Sequence, residues 1–240
     1  MTGMAVISVI QIVMILVIGW LAYVCRALDR KGSIVAIILG ILTLQFGGVY
    51  PFLALLTFVV MGVLSTKYKY HEKLKTGIAQ EQKGVRGWKN VIGNGLATSI
   101  FVILEYLIKQ DFLWTATFAS IATANADTLA SELGKVFGKN PKMITNLKPV
   151  KPGSNGAISL QGEIFALVGA IIIGIIATAV TSFKWQMFLA TTMGGFIGCN
   201  IDSVVGATLE DRGIVDNNGT NFIATLAGGI AGAIIFLALV

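Results

Sequence analysis

The stretch SLQGEIFALVGAIIIGIIATAVTS, residues 159–182, decides the fold class. Glu163, near its start, is its one charged residue. The rest is aliphatic and glycine-rich, without the alternation of apolar and polar positions that marks a half-buried or barrel strand. Its length matches the roughly 20 apolar residues a helix needs to cross a bilayer. Working outward, residues 4–24, 33–46, 50–66, 90–108, 112–130, 186–207 and 220–240 read the same way. The chain therefore reads as all-α, a polytopic transmembrane bundle of seven or eight helices forming one membrane domain over residues 1–240. The count turns on 33–46, which Gly47-Gly48 and Pro51 break from the next segment. That pair is a tight helical hairpin or a partial re-entrant element.

Composition agrees. Hydrophobic residues make up 55% of the chain and charged residues 12%, about half the charge of an average soluble domain; the mean hydropathy is +0.80. The formal charge of +6 does not point to nucleic acid. With eight alternating crossings, every Lys and Arg except Lys109 and Lys184 falls on one side. Such asymmetry marks the cytoplasmic face of a multi-pass cell-membrane protein with both termini outside. The main cytoplasmic loops are then 67–89, 131–158 and 208–219. Arg26 follows the first segment and no charged region precedes it, so that segment reads as a retained helix. Glu105 and Lys109, one turn apart, read as an exposed pair at the outer end of their helix. Cys25 and Cys199 form no metal-binding spacing, and His71 is the single histidine; zinc is not expected.

The chemically capable residues lie on the basic side. Asn125-Ala126-Asp127-Thr128-Leu129-Ala130-Ser131-Glu132-Leu133-Gly134-Lys135 closes the fifth segment, and Asn200-Ile201-Asp202-Ser203-Val204-Val205-Gly206-Ala207-Thr208 closes the seventh. Both contain Asn-x-Asp-Thr/Ser with a small residue four positions after the Asp, a recurrence that reads as an internal duplication. A carboxylate at membrane depth costs roughly 2.5–3.5 kcal/mol on insertion scales and marks a functional candidate. Carboxylates with hydroxyl and amide oxygens are hard ligands suited to Mg²⁺. Asp127, Asp202 and Glu132 are the candidate metal ligands.

Between the copies lies Lys148-Pro149-Val150-Lys151-Pro152-Gly153-Ser154-Asn155-Gly156-Ala157-Ile158-Ser159. It joins fixed cations, stiffening prolines and permissive glycines, and runs into a helix N-terminus, where free N–H groups favour anions. It lacks the Gly-Lys-Ser/Thr ending of a P-loop. Asn94 and the Asp216-Asn217-Asn218 stretch sit at two further helix starts. Lys151 joins Asp127 and Asp202 as the candidate catalytic groups. Contacts to substrate or nucleotide are expected from Asn94, Asn125, Ser131, Glu132 and Lys135, and from Lys148, Gly153, Ser154, Asn155 and Gly156. Asn200, Ser203, Asp216 and Asn217 complete the set. Phosphoryl transfer needs little beyond such positioning and charge neutralisation, and no Ser-His or Cys-His nucleophile is present.

At these motifs, and over most of the chain from about residue 60, the sequence resembles a membrane family that contains the phytyl-phosphate kinases of the vitamin E pathway. Many of its archaeal and bacterial members have been filed as a domain of unknown function. It is similar, more distantly, to the CTP-dependent polyprenol and dolichol kinases. Relatives tend to carry Gly-Thr-x-Gly where Gly153-Ser154-Asn155-Gly156 stands; the exchange keeps a hydroxyl. The resemblance implies transfer of phosphate from CTP, or another nucleoside triphosphate, to a prenyl monophosphate at the cytoplasmic face, with Mg²⁺. Alternatives are a polyprenol kinase or a CTP:lipid-phosphate cytidylyltransferase. A transporter, whose coupled-ion site would also use paired acidic helices, fits less well because the polar groups crowd one end. Gly228-Gly229-Ile230-Ala231-Gly232 allows close helix packing within the chain or between copies, as in a homodimer.

Overall fold

A computed structural model describes residues 8–79 and 84–240. Residues 4–7 of the first expected segment and 80–83 of the loop 67–89 lie outside the described residues. The eight apolar segments correspond to eight long helices: α1 (Val9–Val24), α2 (Arg30–Gly47), α3 (Val49–Lys67), α5 (Trp88–Ile108), α6 (Asp111–Phe137), α7 (Leu160–Ala177), α8 (Lys184–Val205) and α9 (Asn217–Leu239). A short α4 (Tyr70–Lys75) lies within the loop after α3. Local chemistry sets several starts. Ser8 and Gln11 form a capping box, and Asp29, Ser159 and Asp216 accept from backbone N–H groups of the first turns they open.

The molecule is a polytopic helical membrane bundle. Helices α2, α3, α5, α7, α9 and α8 with the turn that continues it are each long and apolar enough to cross a membrane; α1 is apolar but shorter. The segment 33–46 is a full helix of 18 residues. Gly48 alone joins it to α3, at φ 77° and ψ −164°, a conformation open essentially to glycine. Of the two expected forms, the tight hairpin is the one observed.

Helix α6 differs from the rest. It is rich in Thr, Ser and Ala, and every residue from Thr115 to Ala126 is buried. It packs against α3, α5, α7, α8 and α9. A helix enclosed by protein needs no lipid-facing apolar surface, provided its polar groups are bonded. Thr117 and Thr123 donate to carbonyls one turn back, and Ser120 shares a 2.7 Å bond with Thr98 of α5. The helix also runs past the expected end at 130 to Phe137, so Ser131, Glu132 and Lys135 are helical. Hydropathy marks where the apolar stretch stops, whereas Glu, Leu and Lys continue a helix readily.

Small residues let the helices approach. A side chain at Gly195 would meet Ala122, one at Gly198 would meet Thr123, and one at Gly169 would meet Ala126. This register runs α6 parallel to α8 and antiparallel to α7. Gly228, Gly229 and Gly232 of α9 face α8, α5 and α6, so the glycine stripe that allowed packing between copies is occupied within the chain. Two strands, β1 (Lys142–Met143) and β2 (Ala157–Ile158), pair antiparallel and pin the base of the connection from α6 to α7. Glu105 lies 3.9 Å from Lys109, as its spacing predicts. The exposed placement expected for the pair holds for Lys109 alone: Glu105 is buried.

Candidate functional site

The parallel register of α6 and α8 carries their two Asn-x-Asp motifs to the same end of the bundle. Asp127 and Asp202 line one polar cavity of about 230 Å³. The N-terminal turns of α5 and α9 contribute Asn90, Asn94, Asn217 and Asn221, and α7 contributes Gly162 and Glu163. The loop Pro152–Ser159 completes the wall. Asp127, nearly three turns before the end of α6, and Asp202, in the last turn of α8, thus stand among helix N-termini, whose free N–H groups and dipoles favour anions.

The loop is built to lie close. Gly153 and Gly156 have φ of 83° and 72°, which glycine adopts without strain. Gly156 rests on α8, where an added Cβ would come 2.6 Å from the Ser203 carbonyl oxygen. Ile144 N–H donates to the Gly156 carbonyl at 3.0 Å. Asn155 donates to one oxygen of Glu210, and Thr220 of α9 donates to the other. Glu210 ends a π-helical turn, Gly206–Glu210, that extends α8; such turns recur at functional sites.

The two Asn residues of the motifs do not face the cavity. Asn125 donates to the Gly169 carbonyl at 2.8 Å, and Asn200 donates to Glu163 at 3.1 Å. Both therefore reach α7, each two residues before an Asp that lines the cavity. The repeated pattern has a repeated geometry: Asn ties the helix to α7, and Asp faces the opening. Ser131, Ser203, Lys135, Gly153, Ser154, Asn155 and Gly156 also line the cavity. Lys148, Lys151 and Asp216 are not among its lining residues. Lys148 and Lys151 are exposed, and Asp216 accepts from Gly219 N–H at 2.9 Å as the cap of α9. Asn94, which needed a partner, donates to the Asn90 carbonyl at 3.0 Å.

Glu132 requires a correction. Its carboxylate meets the Lys73 ammonium at 2.5 Å and Lys135 at 3.6 Å. Lys73 also donates to the carbonyls of Ser65 and Thr66. A carboxylate held by two ammonium groups is a poor metal ligand; Glu132 anchors α4 to α6. Lys73, Arg86, Glu163 and Glu210 were missed by sequence reasoning. The first two look like ordinary topology-setting cations, and the bonds of Lys73 to Glu132 and of Asn155 to Glu210 each span more than fifty residues.

Asp127 and Asp202 differ in surroundings. Asp127 lies within electrostatic range of Arg86 and Lys135. Asp202 faces Asp127 and Glu210, and its Oδ2 is buried without a hydrogen-bond partner among the described residues. An orphaned carboxylate oxygen beside like charges is what a divalent cation would complete. No group of three His, Cys, Asp or Glu capable of holding a metal ion is present among the described residues. Mg²⁺ does not require one, since it binds through one or two carboxylates together with water and substrate phosphates. The residues present fit that ion.

The family described as Integral membrane protein DUF92 matches residues 13–229. An uncharacterized membrane protein of Methanocaldococcus jannaschii, MJ0933, is 35% identical over 96% of this chain and 94% of its own. Two Arabidopsis thaliana proteins are more distant. The chloroplastic protein VTE6 is 28% identical over 77% of this chain and 57% of its own, and protein PGR is 26% identical over 87% and 89%. No solved structure matches the chain.

Proposed function

The chain belongs to the integral membrane DUF92 family, and we propose that it is a Mg²⁺-dependent kinase that transfers a phosphoryl group from a nucleoside triphosphate, CTP by resemblance, to a prenyl monophosphate. One observation carries the reading: two parallel helices bring Asp127 and Asp202 into a single polar cavity walled by helix N-termini and a glycine-turned loop. Asp202 and Asp127 would hold the ion, which supplies neutralisation of charge on the phosphate oxygens. The N-terminal turns of α5, α7 and α9 and the backbone of Gly153 to Gly156 receive phosphates. Lys135 adds a cation to the cavity wall. In the reaction an oxygen of the lipid phosphate forms a bond to the γ-phosphorus, the bond from that phosphorus to the bridging oxygen breaks, and the nucleoside diphosphate leaves. The motif resemblance to phytyl-phosphate kinases supplies the prenyl substrate, and the membrane bundle suits a lipid acceptor.

The test is an assay of purified protein in lipid nanodiscs with Mg²⁺, geranylgeranyl or phytyl phosphate, and a panel of nucleotides. Label from the γ-phosphate of CTP is expected in a lipid diphosphate. Label from the α-phosphate in the lipid would make the protein a cytidylyltransferase, and absence of transfer from every nucleotide overturns the reading.

A further inference from the structure

A second cavity, of about 120 Å³, lies between α1, α2 and α3 on one side and α5 on the other. Its lining is apolar apart from Thr66, Arg86, Asn90 and Asn94. Arg86, Asn90 and Asn94 also line the polar cavity, so one short wall is common to both. Arg86 is the single charged group in the apolar groove among the described residues.

The setting of Arg86 is specific. Its backbone is fixed by bonds to Ala27 and Asp29 at 3.0 Å each. Its guanidinium stands 6.0 Å from the centre of the Phe58 ring, and Gly62 leaves the room it occupies. Among the described residues it forms no side-chain hydrogen bond or ion pair, although Asp127 and Glu132 lie within electrostatic range. A guanidinium with its donor fork unused suits a phosphate, which it can hold bidentately. From Arg86 the groove runs along α2 to Ile15, Gly40 and Phe52, where Ile15, Leu44 and Phe52 form a packed cluster. Gly40 lies ten residues into α2, a depth of about 15 Å at helical rise, or half the ~30 Å hydrocarbon thickness.

Building on the proposed function, we infer that this groove holds the hydrocarbon tail of the lipid phosphate, with Arg86 gripping its phosphate where the groove meets the polar cavity. The occupant follows from continuity: a molecule with its anionic group at Arg86 has an apolar slot behind it and the Asp-lined cavity before it. The tail then lies inside the bundle, between α1–α3 and α5, and not on the outer faces of α7 or α9. The length of the slot selects for chains that reach toward mid-membrane.

Photocrosslinking tests this without requiring turnover. A geranylgeranyl phosphate analogue with a diazirine at the tail end is irradiated with the full chain in nanodiscs, and adducts are mapped by mass spectrometry. Adducts are expected on α1, α2 and α3 near Ile15, Ile37 and Phe52, displaced by excess geranylgeranyl phosphate. Ala36→Phe, which fills the slot, is expected to lower that labelling at least tenfold; Ala36→Leu replaces it where the larger side chain prevents folding. Adducts confined to other helices, adducts that excess geranylgeranyl phosphate does not displace (the behaviour of bulk bilayer lipid), or labelling unchanged by the folded variant overturn the inference. Displaceable labelling of this slot without phosphoryl transfer would uphold the groove and sink the kinase reading, so the two failures are distinct.

Discussion

The Lys73 ammonium and the Glu132 carboxylate meet at 2.5 Å, with both side chains almost wholly withdrawn from solvent. Removing one partner of such a pair strands a buried charge. Lys73→Met and Glu132→Leu are each expected to destabilise by about 3–5 kcal/mol. The double replacement Lys73→Met with Glu132→Leu should recover most of the loss, because it removes both charges. Thermal melts of the four proteins in one detergent check this; additive losses would show that the two residues act separately.

Asp127→Asn and Asp202→Asn keep the shape of each side chain and remove its charge. Each is expected to lower Mg²⁺-dependent phosphoryl transfer by about 10²–10³-fold, the scale of losing one preorganised electrostatic contact. The melting temperature should fall little in either variant, and at Asp202 it should hold or rise, since its buried Oδ2 has no partner to lose among the described residues. Normal turnover in either variant overturns the assignment of metal ligands.

Gly156 combines a left-handed backbone with close contact. Gly156→Ala costs about 1–2 kcal/mol in conformation alone, and its Cβ would press on the Ser203 carbonyl. The loop is expected to lift from α8 and become more open to proteolysis between 149 and 156. Gly213→Ala serves as the control: its φ is 70° with open space around it, so it carries the conformational cost without the displacement.

Asp216 gives a pH signature. Donation from the Asn218 side chain, then from Gly219 N–H, holds its carboxyl below the ordinary value. A carboxyl depressed in the folded state stabilises above its unfolded pKa of ~3.9, and that contribution disappears as pH falls through the folded value. Asp216→Ala is expected to lower the melting temperature at pH 7, at the small end of the range for helix caps because the site is exposed. The difference from wild type should shrink below about pH 4, as paired melts across pH would show.

The eight long helices were legible because lipid-length apolar runs have few other uses. The shared depth of Asp127 and Asp202 was legible too, from equal motifs on helices of equal orientation, whereas the side-by-side packing of α6 and α8 rests on Gly195 and Gly198 meeting Ala122 and Thr123. What escaped depends on pairings distant in sequence. Lys73 in a lysine-rich loop looks like any topology signal until Glu132 is seen beside it. Lys151 looked like a catalytic group by its nearness in sequence to Gly153 and Gly156, yet it is exposed and not among the residues that line the cavity. Asn125 and Asn200 looked like site residues because they neighbour the Asp in sequence, but on a helix residues two apart point to different sides.

Glu210 holds Asn155 with one oxygen at 3.2 Å in an exposed bond and Thr220 with the other at 2.8 Å in a part-buried one. The two grips are unequal, because a longer bond open to water is more readily exchanged for solvent. Displacement of the Pro152–Ser159 wall would therefore part Asn155 from Glu210 first and leave the carboxylate on Thr220 of α9. Glu210 thus ties the loop to α8 by its weaker bond and α8 to α9 by its stronger one, so the loop is the part of this junction most readily released.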